Sequence, residues 1–223
     1  MFKFINDNTT PEYNLALEEI LCAAGQEFFM LWRNRPSVII GRFGQTEAEV
    51  NLNYARSKRI NLVRRNSGGG AVYHDLGNIN FSFILHDKKI FTLEYFSGIV
   101  IKILNEIGIN ARLEFSHNDI KADGKKISGQ AQYHHEGIIL HHGTILFDTD
   151  LNIIPKVLKR SGSVTNIKPL LKHELNISEF MSLLYDKIDA EKIFIIPKEL
   201  QSRAQNLMHL KYLNLQWNME GIL

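Results

Sequence analysis

The sequence predicts an α+β fold, with mixed or antiparallel sheets flanked by helices. Three observations lead there. Short β-rich runs interleave with helical patterns, several of those runs are joined by turn signals, and no internal repeat or low-complexity linker interrupts the series. With 223 residues, 44% of them hydrophobic and 22% charged, the chain can bury a substantial core and reads as one domain over residues 1–223.

Residues 2–5 make a first short strand. Asn8, Thr9 and Thr10 then offer caps ahead of Pro11, so a helix starts there and runs on through Leu15, Ala16, Ile20 and Cys22 toward Gly25. Residues 28–32 and 37–41 are β-rich and separated by Arg33-Asn34-Arg35-Pro36, which predicts an antiparallel hairpin. Residues 51–59 suit a short helix, 60–63 a strand and 78–85 another strand, with a glycine-rich loop bridging the two strands. Across 91–107, apolar residues at 93, 96, 99, 100, 103, 104 and 107 recur at helical spacing, and Gly108 supplies the stop. Strands follow at 111–115 and 137–148, with Asp123-Gly124 marking a hairpin turn between them. Pro155 limits 151–158 to about one helical turn, and 178–187 and 197–210 read as the last helices.

A formal charge of +2 is too small for bulk nucleic-acid binding, and no nucleic-acid or membrane partner is expected. No apolar run approaches the roughly 20 residues of a membrane span, and the first residues lack the pattern of a signal peptide, so a cytoplasmic location is expected. A single cysteine, Cys22, excludes an internal disulfide and a multi-thiolate zinc site. The histidine pairs 134–135 and 141–142 are adjacent, so their side chains point to opposite faces of a strand and make poor joint metal ligands.

The chemistry concentrates in Arg64-Arg65-Asn66-Ser67-Gly68-Gly69-Gly70-Ala71-Val72-Tyr73-His74-Asp75. Glycines without Cβ let successive N–H groups turn toward one anion, and the arginines supply charged planar donors. Three glycines can also be a plain turn, but a plain turn needs neither the cations before them nor the imidazole after them. The spacing matches neither the Walker loop nor the dinucleotide fingerprint, which implies another kind of phosphate site.

That loop is followed in order by Asn118-Asp119, Lys126-Ile127-Ser128-Gly129, His141-His142-Gly143-Thr144 and Val164-Thr165-Asn166-Ile167. Together with Tyr13-Asn14-Leu15-Ala16-Leu17-Glu18-Glu19, Leu31-Trp32-Arg33-Asn34 and Ile40-Gly41-Arg42, the series resembles the lipoate-protein ligase family, with a weaker echo at Trp217-Asn218. The resemblance implies a biotin/lipoate ligase-like catalytic domain that uses ATP to convert lipoate to lipoyl-adenylate and then acylates a lysine. The acceptors it implies are lipoyl domains of 2-oxoacid dehydrogenase complexes or the glycine cleavage H protein. By the same resemblance Arg65, Gly70, Ala71, Val72 and Tyr73 hold the nucleotide. Ser67, Gly68, Gly69, Trp32, His74 and His142 border lipoate, and Lys126 touches both substrates as the catalytic cation. Trp32, His74 and His142 are equally ordinary core residues. Asp119 is a candidate for Mg²⁺ or for activating the incoming amine.

Two departures from the family pattern bear on activation. The accessory domain that commonly follows is expected to be absent, leaving room for a separate accessory chain, and the 158–164 stretch is shorter than the usual basic adenylate-covering loop. The rival reading within the fold is an octanoyl or lipoyl transferase working through a cysteine thioester, for which Cys22 on an apolar helical face is a poor nucleophile. A non-catalytic lipoate-binding protein is the reading from another class.

Overall fold

In the computed structural model, which describes residues 1–88, 90–115, 118–190 and 192–223, the helices and strands alternate as the patterning requires. The first half runs β1 (Phe2–Asn6), α1 (Pro11–Cys22), β2 (Phe28–Trp32), β3 (Ser37–Ile40), α2 (Thr46–Glu49), α3 (Leu52–Ser57), β4 (Asn61–Arg64), β5 (Val72–His74) and β6 (Asn78–His86). The second runs α4 (Leu93–Glu106), β7 (Ala111–Glu114), β8 (Asp119–Ala122), β9 (Lys125–His135), β10 (Ile138–Leu146), α5 (Ile154–Val157), α6 (Ile177–Lys187), β11 (Lys192–Ile193), α7 (Lys198–Leu207) and α8 (Leu215–Glu220). A π-helical turn, Met208–Tyr212, joins α7 to α8.

Eight strands form one mixed sheet in the order β11-β1-β2-β6-β10-β9-β8-β7, and β4-β3-β5 form a second, three-stranded sheet. β1 lies parallel to β2 and β11, and the remaining pairs of the large sheet are antiparallel. Period-two alternation on β6 and β10 sorts two layers. Ile79, Phe81 and Phe83, with Ile139 and Ile145, pack under Phe96, Val100 and Leu104 of α4 and Phe180 and Leu184 of α6. The opposite face, with Ile84 and Leu140, meets Leu15, Leu17 and Leu21 of α1 and Ala204 of α7. A third cluster, including Val38, Tyr73, Ala55 and Val157, lies between the small sheet and the helices α3 and α5.

The expected hairpin of residues 28–32 and 37–41 does not form. β2 pairs with β1 and β6, whereas β3 pairs with β4 and β5. All five residues of β2 are buried, so it needs a neighbour on each edge and a layer on each face, which one hairpin partner cannot provide. Asn34 of the intervening turn is itself fully buried and bound to Asn14 and His74, so the turn hands the chain from one sheet to the other. The glycine loop likewise leads from β4 into β5 of the same small sheet before β6 begins, rather than joining two strands directly. The Asp123-Gly124 turn forms as expected, with φ of +49° and +76°, the two left-handed positions of a tight hairpin.

The C-terminal segment is clasped to the strand that feeds the glycine loop. Arg64, 1% exposed, donates to the carbonyl oxygens of Gly41 and Gly44 at 2.8 Å and of Trp217 and Met219 at 2.9 Å. Its own N–H donates to Asn218 Oδ1 at 2.9 Å, and its carbonyl accepts from Trp217 Nε1 at 3.0 Å. Arg64 is therefore a structural tie and offers nothing to a ligand, contrary to the sequence expectation that both arginines serve the anion. Replacing it with methionine leaves several buried carbonyls without donors, a loss of roughly 3 kcal/mol. Arg64→Met is expected to lower the thermal midpoint by about 6–12 °C, measured by calorimetry.

Candidate active site

Arg65 organises the glycine loop from beneath. Its guanidinium, 6% exposed, donates to the carbonyl oxygens of Gly68 at 2.6 Å, Gly70 at 3.0 Å and Ile39 at 3.0 Å, and through Nε to Ser67 Oγ at 2.9 Å. Arg42 N–H takes the carbonyl of Ser67 at 2.8 Å. Because N–H and C=O of a trans peptide point opposite ways, capturing the carbonyls of 67, 68 and 70 turns the N–H groups of Gly68, Gly69 and Ala71 away from the arginines. The Ala71 N–H is already used, donating to Glu49 Oε2 at 2.5 Å. Gly69 has φ +89°, and a Cβ on Gly41 would collide with its carbonyl, so close backbone approach fixes both positions as glycine. Burial lowers the Arg65 pKa to about 10, assisted by Arg64, and the side chain stays cationic at neutral pH.

A second chain of bonds fastens the loop to α1. Ser67 Oγ meets His142 Nε2 at 2.6 Å, His142 Nδ1 meets Glu18 Oε1 at 3.0 Å, Ser82 Oγ donates to the same carboxylate oxygen at 2.6 Å, and Trp32 Nε1 donates to Ser82 at 2.8 Å. With Nδ1–H directed at the carboxylate, Nε2 accepts the Ser67 hydroxyl proton. The alignment is that of a Ser-His-acid triad, but Ser67 is 1% exposed and also accepts from Arg65, so it holds position and does not attack.

These elements enclose a cavity of about 210 Å³. Trp32, Arg65, Gly69, Gly70, Ala71, Val72, His74, Asp119, Lys126 and His142 all line it, so most of the residues singled out in the sequence converge there. Ser67 and Gly68 do not line it. Tyr73 does not either, because alternation on β5 sends it into the cluster beneath the small sheet while Val72 and His74 face the cavity. Lys126 projects from the β8–β9 hairpin, its Nζ 2.7 Å from Asp119 Oδ1 and close over Gly129. Its backbone is pinned by Ser163 and Thr165, which is what the Val164-Thr165-Asn166 motif contributes. Among the described residues no group of three or more His, Cys, Asp and Glu is arranged to hold a metal.

The two buried histidines divide by strand face. His141 stacks on Phe96 at 4.5 Å, donates from Nε2 to Gln130 Oε1 and accepts from Gln132, as a core residue. Burial, with the neighbouring His142, lowers its pKa to about 3. His74 is lowered to about 3 by burial, then by Arg65 and His142, so it too is neutral. Sequence reading assigned no role to Glu18, Glu49 or Asn80. Glu18 alone carried a signal, a carboxylate between Leu17 and Leu21 on an otherwise apolar helical face.

A family model described as the lipoyl protein ligase A/B catalytic domain matches residues 10–189. The chain belongs to that family. The lipoate-protein ligase LplJ of Bacillus subtilis is 41% identical over 196 residues, which cover 84% of this chain and 57% of that one, so the chain spans little more than half of that relative. A crystal structure of lipoate-protein ligase A bound with ATP superposes with a TM-score of 0.87 at 30% identity, covering 100% of both chains. A bipartite lipoate protein ligase of Thermoplasma acidophilum, described together with its E2 lipoyl domain, gives 0.86 at 29% identity, covering 100% of this chain and 98% of that one. The lipoyl ligase catalytic domain therefore accounts for the α+β architecture read from the patterning.

Both histidines titrate near 6.5 in the unfolded chain and near 3 when folded, so below about pH 6.5 the unfolded state binds more protons and stability falls, by up to roughly 1.4 kcal/mol per pH unit for each. His141→Phe removes one of the two. The slope of thermal midpoint against pH between 6.5 and 4 is expected to be visibly shallower in that variant than in the native protein.

Proposed function

We propose that this protein activates lipoate with ATP and transfers the lipoyl group to a lysine of a lipoyl-acceptor domain. The observation that carries the reading is that the Lys126 ammonium and the glycine-loop backbone border one cavity. A lipoate carboxylate oxygen attacks the α-phosphorus, pyrophosphate leaves, and lipoyl-adenylate forms. The acceptor amine then attacks the acyl carbon and AMP departs. Lys126, a compact cation, lowers the repulsion between carboxylate and phosphate and stabilises charge gathering on phosphorus. The outward N–H of Gly69 is the loop's contribution to the phosphates, and Arg65 acts by holding the Gly68 carbonyl at the other end of that peptide unit. Trp32, Val72, His74 and His142 wall the acyl slot. Asp119 with phosphate oxygens suits Mg²⁺, which usually takes one or two carboxylates plus substrate, and the metal would neutralise charge on the leaving pyrophosphate. The acceptors are lipoyl domains of 2-oxoacid dehydrogenases or the glycine cleavage H protein, and the Thermoplasma ligase with its E2 lipoyl domain supports that class.

Pyrophosphate release from ATP, Mg²⁺ and lipoate tests the reading, with any accessory chain supplied. Lys126→Ala is expected to cut release at least about 100-fold with the fold intact, as the loss of a transition-state cation predicts. Arg65→Ala is expected to raise the KM for ATP by collapsing the loop. Full turnover by the lysine variant would defeat the assignment.

The cysteine-transferase alternative is disfavoured by the surroundings of Cys22. Burial, then Glu18 and Glu19, push its thiol well above the usual range, so thiolate is scarce. Iodoacetamide at pH 7.5 is expected to modify Cys22 at less than about a tenth of the rate of a free thiol and to leave pyrophosphate release unchanged. Inactivation that tracks modification would favour the transferase.

A further inference from the structure

The π-helical turn Met208–Tyr212 inverts the usual order of burial. Leu210 is 73% exposed, whereas Lys211 beside it is 7% exposed and Tyr212 1%. Lysine is among the residues least often buried, so an ammonium turned inward while a leucine faces solvent is held there by specific partners. The turn itself produces the inversion. Leu213 N–H reaches back five residues to the Met208 carbonyl at 2.8 Å, and this wider turn sets the side chains of 211 and 212 together on one inward face.

The partners lie on α1 and on the stem of the glycine loop. Lys211 Nζ donates to Glu19 Oε2 at 2.8 Å and to Asn66 Oδ1 at 2.8 Å, and it lies 4.3 Å from the centre of the Trp217 ring. Asn66 Nδ2 donates to Glu19 Oε2 at 2.9 Å, and the Tyr212 hydroxyl donates to the same oxygen at 2.6 Å. Burial alone would raise the Glu19 pKa, but the bonds from Lys211, Tyr212 and Asn66 bring it below the usual carboxylate range, so the carboxylate is charged at neutral pH. Asn66 stands between Arg65 and Ser67, and Ser67 is reached from Glu18 through His142. Two successive carboxylates of α1 therefore grip two successive residues of the loop, and Lys211 ties the second grip by bonding to both of its members. Arg65 and Arg42 give the loop its shape, and the triangle of Glu19, Asn66 and Lys211 fixes where the shaped loop sits.

We propose that Lys211 is a positioning residue for the adenylating reaction, setting through Asn66 where the glycine loop stands relative to α1 and to Lys126. The kinetic consequence rests on the ligase reading. A loop that keeps its shape but loses its seat still binds nucleotide, while the alignment of phosphate with the attacking carboxylate is lost, and misplacement by about 1 Å costs up to about a hundredfold in rate.

A double-mutant cycle of Lys211→Met, Asn66→Ala and the two combined tests it, read by pyrophosphate release scaled to the folded fraction from circular dichroism. Each single variant is expected to lose about tenfold in kcat with the KM for ATP within about twofold of native, and the combined variant to lose little more than either. Lys211→Arg, which keeps charged donors, is expected to stay within about threefold of native. The Arg42 N–H, which donates to the Ser67 carbonyl at 2.8 Å, reports the seat of the loop without turnover. Its hydrogen exchange is expected to quicken about tenfold in each single variant and no further in the combined one, with the amides of Val100, Ile103 and Leu104 in α4 unchanged. Should Lys211→Met fail to fold, Lys211→Gln takes its place in the cycle. Losses that multiply to about a hundredfold in the combined variant, exchange that quickens equally in α4, or an Asn66→Ala protein with native kcat and native exchange would overturn the proposal. The two readouts also separate the two readings. Local exchange as expected in a protein that releases no pyrophosphate defeats the ligase and leaves the tether standing, and release with multiplying losses does the reverse.

Discussion

The capture of three loop carbonyls by the Arg65 guanidinium and the Arg42 amide is the constraint on which the rest of the site depends. A peptide unit has two polar ends, and a loop of glycines has no side chains to decide which end faces a ligand. Arg65 decides it by occupying the carbonyls of Gly68 and Gly70, and Arg42 does the same for Ser67. An arginine that looks like a phosphate ligand in the sequence thus acts one layer below, converting a flexible run into a surface of outward N–H groups. Glu49 acts on the opposite end of a peptide unit, taking the Ala71 N–H so that this donor is used within the protein.

Around this loop the molecule spends buried polar groups where an ordinary core would place aliphatics. The row Asn6, Asn14, Asn34 and His74, and the row Trp32, Ser82, Glu18, His142 and Ser67, run from helix and sheet to the two sides of the cavity. Apart from His74 Nε2, which has no hydrogen-bond partner, these groups bond to their neighbours along each row, so the rows fix tautomers and rotamers rather than destabilising the layer. The face of β6 and β10 beneath α4 is apolar except for His141, whose two ring nitrogens are both engaged. One sheet therefore carries a packing face and a chemical face.

The sequence made the fold class, the amphipathic α4 and the Asp123-Gly124 turn legible, because those are local patterns. Pairing was not legible where it is decided at a distance. The Arg33–Pro36 turn looks like a hairpin until the burial of Asn34 is known, and nothing local says that β2 and β3 belong to different sheets. Lys126 was found through the ordered motifs, and its convergence with the glycine loop on one cavity follows from the order of β6, β10, β9 and β8. Asn80, which lines the cavity, was missed because an asparagine in a strand signals nothing by itself. Arg64 was misjudged because paired arginines read alike, though adjacent positions face opposite ways.

The clasp on Arg64 also dictates when the site can mature. The carbonyls of Trp217, Asn218 and Met219 that this side chain holds lie 153 to 155 residues downstream. A nascent polypeptide emerging from the ribosome can lay down most of the large sheet and shape the glycine loop before it can anchor β4, the strand that feeds that loop, because this anchorage waits for α8 to clear the exit tunnel. Prematurely terminated translation products would then keep much of the scaffold while lacking the clasp on β4.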